Sequence, residues 1–186
     1  MEHRPIAQLE AALDHVCASP IGDGRLEPIV SRPSNATREV LAVAELDTEL
    51  GLIGDNWSTR PSKQTVDRSP HPLKQLNIMN ARAAAAIAGD IADWPFAGDQ
   101  LYVDLHLGSA ELPPGSRLQI GEAVVEVTEP PHRGCVKFTA RYGKDAMRFV
   151  NSPAGRALNL RGICARVLVG GTIRRGDPIS CVVSVL

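Results

Sequence analysis

The sequence feature that most constrains the fold is a run of alternating apolar and polar side chains near the middle of the chain. Aliphatic residues occupy every second position of residues 101–107, and Tyr102, Asp104 and His106 stand between them. A period of two matches the pleat of a β-strand, in which successive side chains point to opposite faces. We therefore predict a strand here, with its aliphatic face buried.

Short apolar segments separated by glycine and proline surround this strand. Strands are predicted at residues 38–46, 74–79, 117–120, 124–128, 161–169 and 178–185, and helices at residues 5–17, 81–88 and 143–158. Many short strands with glycine and proline turns, and few helices, favour a closed β-barrel over a layered α/β sheet. The predicted fold is thus mainly β with a few helices, with residues 98–128 and 161–185 in one barrel.

The composition indicates a single domain, residues 1–186, with neither nucleic acid nor membrane as a partner. Its 20 basic and 21 acidic side chains give a net charge of -1, so no overall field attracts nucleic acid, and aromatic residues make up only 4%. The N-terminal segment lacks the apolar core of a signal peptide, and the richest apolar run, at residues 83–88, is too short to span a bilayer. Since the four cysteines form no CxxC pair, a cytoplasmic location is expected.

Motifs of several common enzyme classes are absent from the sequence. There is no GxxxxGK[ST] loop, no GxGxxG after a strand, no GxSxG elbow and no HExxH. These absences argue against P-loop nucleotide hydrolases, dinucleotide-binding dehydrogenases, serine hydrolases of the elbow type and zinc proteases. A site assembled by folding from scattered residues remains open.

Five segments, in order along the chain, carry a specific pattern. They are GDNW at residues 54–57, GDQLYV at 98–103, the LPPGSRLQIG hairpin at 112–121, EPPHRGCVKF at 129–138 and LRGICARVLVGGTIRRGD at 160–177. Together they resemble the MOSC domain family, the C-terminal domain of molybdenum cofactor sulfurases, which also stands alone in bacteria. The resemblance spans about residues 50–180, and residues 1–49, with the N-terminal helix and first strands, match nothing in it.

The resemblance implies a barrel related to that of pyruvate kinase and a role with the molybdenum cofactor (molybdopterin). Cys135 would ligate the metal and be the catalytic residue, with a small N-hydroxylated molecule as substrate and a separate flavin or iron–sulfur reductase as electron donor. The other role that the resemblance implies is that the chain handles sulfur or the cofactor for a partner protein. Pyridoxal phosphate is not expected, because the sulfurase domain that holds it is missing here.

A second class of function stays open beside the first. Asn56 stands where the family turn usually has arginine, Asp99-Gln100 where Glu-Asn is usual, and Gly134 where proline usually precedes the cysteine. These departures are compatible with a non-catalytic binding or sulfur-carrier barrel that has lost cofactor binding.

Cys135 is the strongest single candidate because it follows a proline-rich, basic turn in which Arg133 and backbone amides would favour the thiolate. The alternative interpretation is that Cys135 packs in the interior as a small apolar side chain. We expect Cys17, Cys164 and Cys181 to be packing residues, inaccessible to metal.

The remaining candidate residues would hold the cofactor, and for each of them a purely structural role is the simpler interpretation. His132 is a second ligand or a loop side chain, and with Cys135 it gives only two ligands, so no zinc site is predicted. A phosphate needs cationic donors, and the candidates are Arg60, Lys63, Arg68, Lys74, Arg133 and Arg161, each otherwise a solvated surface charge. Asn56 and Asp99 complete the set, although both also suit turns. We expect the 55–74 loop and the 130–137 turn to enclose a positively charged pocket on one rim of the barrel.

Overall fold

The computed structural model describes residues 2–182. Its strands are β1 (Asp23–Ser31), β2 (Glu39–Leu41), β3 (Val43–Asp47), β4 (Gly51–Leu52), β5 (Leu76–Asn80), β6 (Leu101–Asp104), β7 (Arg117–Ile120), β8 (Ala123–Val127), β9 (Ile163–Val169), β10 (Gly171–Arg174) and β11 (Pro178–Val182). Its α-helices are α1 (Ile6–Ala11), α2 (Leu13–Cys17), α3 (Ala81–Ala88), α4 (Val136–Asn151) and α5 (Pro153–Ala157), and short 3-10 helices lie at Trp57–Thr59, Pro72–Lys74 and Ile91–Ala97.

Seven strands form a closed barrel, which confirms the predicted fold class. Hydrogen-bonded neighbours follow the order β1-β11-β7-β8-β9-β5-β6, and β6 pairs with β1 to close the ring. All neighbours are antiparallel except β5 and β6. Because a parallel pair needs a crossover connection, the chain leaves β5 through α3 and the 3-10 helix at Ile91–Ala97 before it returns as β6.

Two hydrophobic clusters result from the alternation along the barrel strands. Leu101, Val103, Leu105 and Leu107 belong to the cluster inside the barrel, as the period of two predicts. Tyr102 points the other way, into an outer cluster formed with α1, α3 and α4. A single strand thus contributes side chains to both clusters.

Several predicted boundaries are wrong. The strand expected at 38–46 is two strands: the chain bends at Ala42, so that β2 extends the barrel sheet beside β1 and β3 joins a separate small sheet, β10-β3-β4. Because β10 pairs with β3 in this small sheet, it lies outside the barrel in which residues 161–185 were expected. Residues 183–185 of that prediction lie outside the described residues.

The helices also differ from expectation. The helix expected from residue 143 begins at Val136, and Gly143 (φ 89°) is a kink inside α4. The helix expected at 5–17 is divided into α1 and α2, which meet at Ala12. Within residues 2–182, no helix has the length and apolar content needed to cross a membrane.

Candidate functional site

A cleft lies between the outer face of the barrel and the segments that cover it. Its floor includes Asn77 of β5 and Cys164 of β9, which are paired across the two strands. Both side chains face outward, because their neighbours Ile78 and Ala165 belong to the inner cluster. The expected rim location is therefore wrong: the site is on the flank of the barrel, although the two expected segments do enclose it.

The cleft has two chambers. The large chamber, about 540 Å³, lies under the loop between β4 and β5 and is lined by Trp57, Lys63, Lys74 and Cys164, among others. The small chamber, about 140 Å³, lies beside Cys135 at the start of α4. Four side chains line both chambers: Arg32, Arg60, Asn77 and His132.

Cys135 is exposed and borders the small chamber. It is the residue immediately before α4, and no side chain caps that helix. Thr139 donates both its amide and its hydroxyl to the Cys135 carbonyl, which fixes the backbone of this residue at the helix start. The sulfur therefore stands at the wall of the cleft on an anchored piece of backbone.

Two buried ion pairs support the cleft from behind. Arg32 donates to both carboxylate oxygens of Asp55, from Nε at 2.8 Å and from an Nη at 2.9 Å. Arg161 donates to Asp99 at 2.6 Å and stacks over the Phe138 ring at 5.0 Å. Burial raises the pKa of Asp99, and the charge of Arg161 opposes that rise. In each pair the carboxylate fixes the arginine side chain, which lines a chamber.

His132 contacts the same carboxylate as Arg161, that of Asp99. Its Nδ1 lies 3.2 Å from the other carboxylate oxygen of Asp99, and its side chain is 15% exposed. Burial lowers the pKa of His132 well below its usual value, and the nearby charges of Arg161, Arg32 and Lys74 act in the same direction. The imidazole between the two chambers is therefore neutral at physiological pH.

Buried polar atoms without a hydrogen-bond partner are concentrated at this cleft. Within residues 2–182 they include Arg38 Nε, Asn56 Oδ1, Trp57 Nε1 and Arg161 Nε, whereas Asp99 Oδ1 and His132 Nδ1 face each other at 3.2 Å. All four atoms belong to residues that line a chamber. Since a buried polar atom without a partner costs free energy, their concentration marks this region as one built for a polar ligand.

The structure brings most of the predicted site residues together. Asn56, Arg60, His132, Cys135 and Arg161 border the small chamber, and Lys63 and Lys74 border the large one.

Three of the predicted residues lie elsewhere. Asp99 is fully buried and reaches the cleft only through Arg161 and His132, so it does not simply shape a turn. Arg133 borders neither chamber; it lines an adjoining cavity of about 90 Å³ beside α5, which shares His132 and Arg161 with the small chamber. Arg68 lines neither chamber.

Sequence reasoning missed several lining residues. Arg32, Arg38, Lys137 and Arg141 border the small chamber. Arg32 follows β1, a strand that the period of two did not reveal. Lys137 and Arg141 are four positions apart, which puts them on one face of a helix, and a helix predicted from residue 136 would have indicated them.

The other cysteines correct a further expectation. Cys164 is buried, as predicted, but it borders the large chamber, and its thiol lies 3.6 Å from Asn77 Oδ1. Burial raises the pKa of this thiol to about 11. Cys17, the last residue of α2, and Cys181, the penultimate residue of β11, are exposed rather than packed.

A larger concavity of about 620 Å³ lies between the N-terminal segment and α4. It contains none of the predicted residues, and its lining residues have no unpartnered buried polar atom. We therefore assign the candidate site to the cleft at Cys135.

Solved structures share this fold. YuaD from Bacillus subtilis superposes with a TM-score of 0.58 and 17% identity, over 84% of this chain and 94% of that chain. YiiM from Escherichia coli has a TM-score of 0.55 and 17% identity, over 87% of this chain and 71% of that chain. YiiM from Geobacillus stearothermophilus has a TM-score of 0.52 and 15% identity, over 88% and 74%. No curated protein matches the sequence.

The MOSC domain family model matches residues 23–180. The match begins earlier than the expected start near residue 50, and it takes in β1, which closes the barrel against β6 and β11. It therefore covers six barrel strands in full, the first three residues of β11, and every described residue that borders the small chamber. The chain belongs to the MOSC domain family, a family associated with molybdenum cofactor binding.

Proposed function

We propose that the cleft binds the molybdenum cofactor, with Cys135 as the protein ligand of the metal. The observation that carries this proposal is the concentration of buried polar atoms without partners around a cleft that also presents an exposed thiol. Such atoms are satisfied when a polar ligand occupies the cleft. A thiolate is a soft donor, suited to a metal with a sulfur-rich coordination sphere.

The size and charge of the large chamber fit the organic part of the cofactor. A volume of about 540 Å³ falls in the range of small-molecule sites. Lys63, Lys74 and Arg60 supply cationic donors for a phosphate, and the Trp57 indole supplies both a flat face and an unpartnered Nε1 donor. The residues present are therefore suited to an anionic pterin.

With the cofactor bound, its metal would supply the redox chemistry for reducing a small N-hydroxylated substrate, with electrons from a separate flavin or iron–sulfur reductase. The residues of this chain bind and orient. Asp99 and Arg161 fix the His132 ring between the chambers, and Asp55 fixes Arg32. Because its Nδ1 faces the Asp99 carboxylate and donates to it, a neutral His132 leaves Nε2 as a hydrogen-bond acceptor for whatever enters.

Molybdenum analysis of protein made in a cofactor-competent host tests this proposal. We expect stoichiometric molybdenum in the wild type, loss of it in Cys135→Ser, and retention in Cys181→Ser, where the replaced thiol is also exposed but borders neither chamber. Because Cys135 is on the surface, Cys135→Ser should unfold at the wild-type temperature.

Full molybdenum content in Cys135→Ser would rule out the thiolate as a ligand. A wild-type protein that never takes up molybdenum, yet gains on Cys135 a sulfur atom that dithiothreitol removes when it is given a persulfide donor, would instead support the alternative, a sulfur carrier.

A further inference from the structure

The small chamber has more positive charge than its own carboxylates balance. Among residues 2–182, six cationic side chains and no acidic side chain border it: Arg32, Arg38, Arg60, Lys137, Arg141 and Arg161. Asp55 pairs with Arg32 and Asp99 pairs with Arg161. Within residues 2–182, the other four cations form no ion pair with a carboxylate.

Two of these unpaired cations, Arg38 and Arg141, are fixed by backbone carbonyl groups. Arg38 donates to the carbonyl oxygens of Ser34, Asn35 and Thr37, and Arg141 donates to the Phe96 carbonyl. Burial lowers the pKa of Arg38, and the charges of Arg141 and Arg32 add to the effect. Backbone carbonyl groups thus fix the positive charges of Arg38 and Arg141 beside the chamber. These like charges repel each other until an anion binds.

The chamber also has donors directed at no protein group. The Nε atoms of Arg38 and Arg161 are buried and have no partner, and Arg161 as a whole is 5% exposed. A planar guanidinium with free N–H groups matches the oxygens of a carboxylate, sulfonate or phosphate.

The size of the chamber limits what it can hold. The small chamber, about 140 Å³, has roughly a quarter of the volume of the large one, about 540 Å³. We therefore expect the pterin in the large chamber and a group as small as one oxyanion in the small chamber.

Resting on the proposed function, we propose that the small chamber is the substrate side of the cleft and binds an oxyanion group of the molecule that approaches Cys135. The substrate class is therefore an anionic compound, one bearing a carboxylate, sulfonate or phosphate. The large chamber keeps its own cations, Lys63 and Lys74, for the phosphate of the cofactor.

Titration calorimetry of the cofactor-free full chain with inorganic sulfate tests the anion site without any need for molybdenum. We expect saturable binding that weakens at least tenfold in the double variant Lys137→Gln/Arg141→Gln. Lys144→Gln/Arg148→Gln is the matched control, since these two exposed cations lie on the same helix but border neither chamber, and it should bind sulfate like the wild type. Equal affinity in the two double variants would overturn the proposal.

A second titration separates the two sources of an oxyanion. Molybdenum-loaded protein should still bind sulfate with the affinity of the cofactor-free protein, because the substrate chamber stays open. If loading abolishes sulfate binding, the chamber belongs to the cofactor's own phosphate and the substrate assignment is wrong. Failure of the proposed function gives a different pattern, with sulfate binding as described and no molybdenum in any preparation.

Discussion

At the scale of single residues, the geometry of the cleft depends on buried charged side chains that are paired with one another. Arg161 takes one oxygen of Asp99 and His132 faces the other, so one fully buried carboxylate orients both a cation and a neutral ring. Sequence reasoning picked out all three positions through the resemblance, but not their connection. The residues are separated by 29 to 62 positions, and no spacing rule links side chains so far apart.

The neutral state of His132 predicts a pH dependence of stability. Its pKa is depressed in the folded protein, so below about pH 6.5 the unfolded chain binds a proton that the folded chain does not. The stability that this histidine contributes is complete above that pH and is lost as the pH falls. We expect the free energy of unfolding of His132→Gln to change less between pH 7 and pH 5 than that of the wild type, by up to about 1.4 kcal/mol per pH unit.

Urea unfolding at a series of pH values measures this difference. His15→Gln, which replaces an exposed histidine on α2, is the control for the loss of an imidazole. Parallel pH profiles for His132→Gln and the wild type would show that folding does not lower the pKa of His132.

Thiol reactivity gives a second prediction at this scale. Burial raises the pKa of Cys164 to about 11, and the thiolate is the reactive form. With iodoacetamide at pH 8, mass mapping should find Cys135 alkylated and Cys164 unmodified in the native protein, and both alkylated in urea. Native modification of Cys164 at the rate of Cys135 would mean that the large chamber opens freely to solvent.

At the scale of elements, the sequence is informative where the period is clean and fails where the backbone departs from it. β6 was predicted with the correct faces because its alternation is unbroken. β1 was missed because Glu27 and Pro28 interrupt its apolar pattern, and its register against β6 shifts between Leu26 and Ile29. The 38–46 segment was predicted as one strand because its composition does not record that the chain changes sheets at Ala42.

Gly162, between Arg161 and β9, tests how tightly the elements fix the site. It has a φ of 103°, and a Cβ there would lie 2.4 Å from the Ile78 carbonyl oxygen of β5, an atom that cannot move without shifting the strand. Gly176, with a φ of 95°, has no atom within 4 Å of a Cβ. Both alanine variants bear the left-handed strain of roughly 1–2 kcal/mol, and only Gly162→Ala adds the clash.

We therefore expect Gly162→Ala to lower the free energy of unfolding in urea by clearly more than Gly176→Ala does. It should also weaken sulfate binding, since the displaced segment contains Arg161. Equal destabilisation by the two variants would show that β5 yields to the added methyl group at little cost.

At the scale of the whole molecule, the barrel and the outer helices share strands instead of forming separate units. Tyr102 of β6 packs in the outer cluster while its neighbours Leu101 and Val103 pack inside the barrel, and its hydroxyl donates to the Trp94 carbonyl at 2.5 Å. The cleft lies where these two parts meet, between β5 and β9 on one side and α4 on the other. Its geometry therefore depends on both clusters staying folded together.

This shared construction predicts a single cooperative unfolding transition, even when the outer cluster alone is weakened. Leu9 of α1 and Leu26 of β1 are both fully buried, the first in the outer cluster and the second inside the barrel. Replacing either with alanine removes similar apolar contacts and should cost roughly 2–5 kcal/mol.

Tryptophan fluorescence follows Trp94 in the outer cluster and Trp57 at the cleft, and far-ultraviolet circular dichroism follows the helices and strands together. We expect the two signals to change at the same urea concentration in both variants, because a two-state protein gives coincident transitions with every probe. If fluorescence changes first in Leu9→Ala but not in Leu26→Ala, the helices unfold from an intact barrel, and the wall of the cleft formed by α4 is a separate, less stable unit.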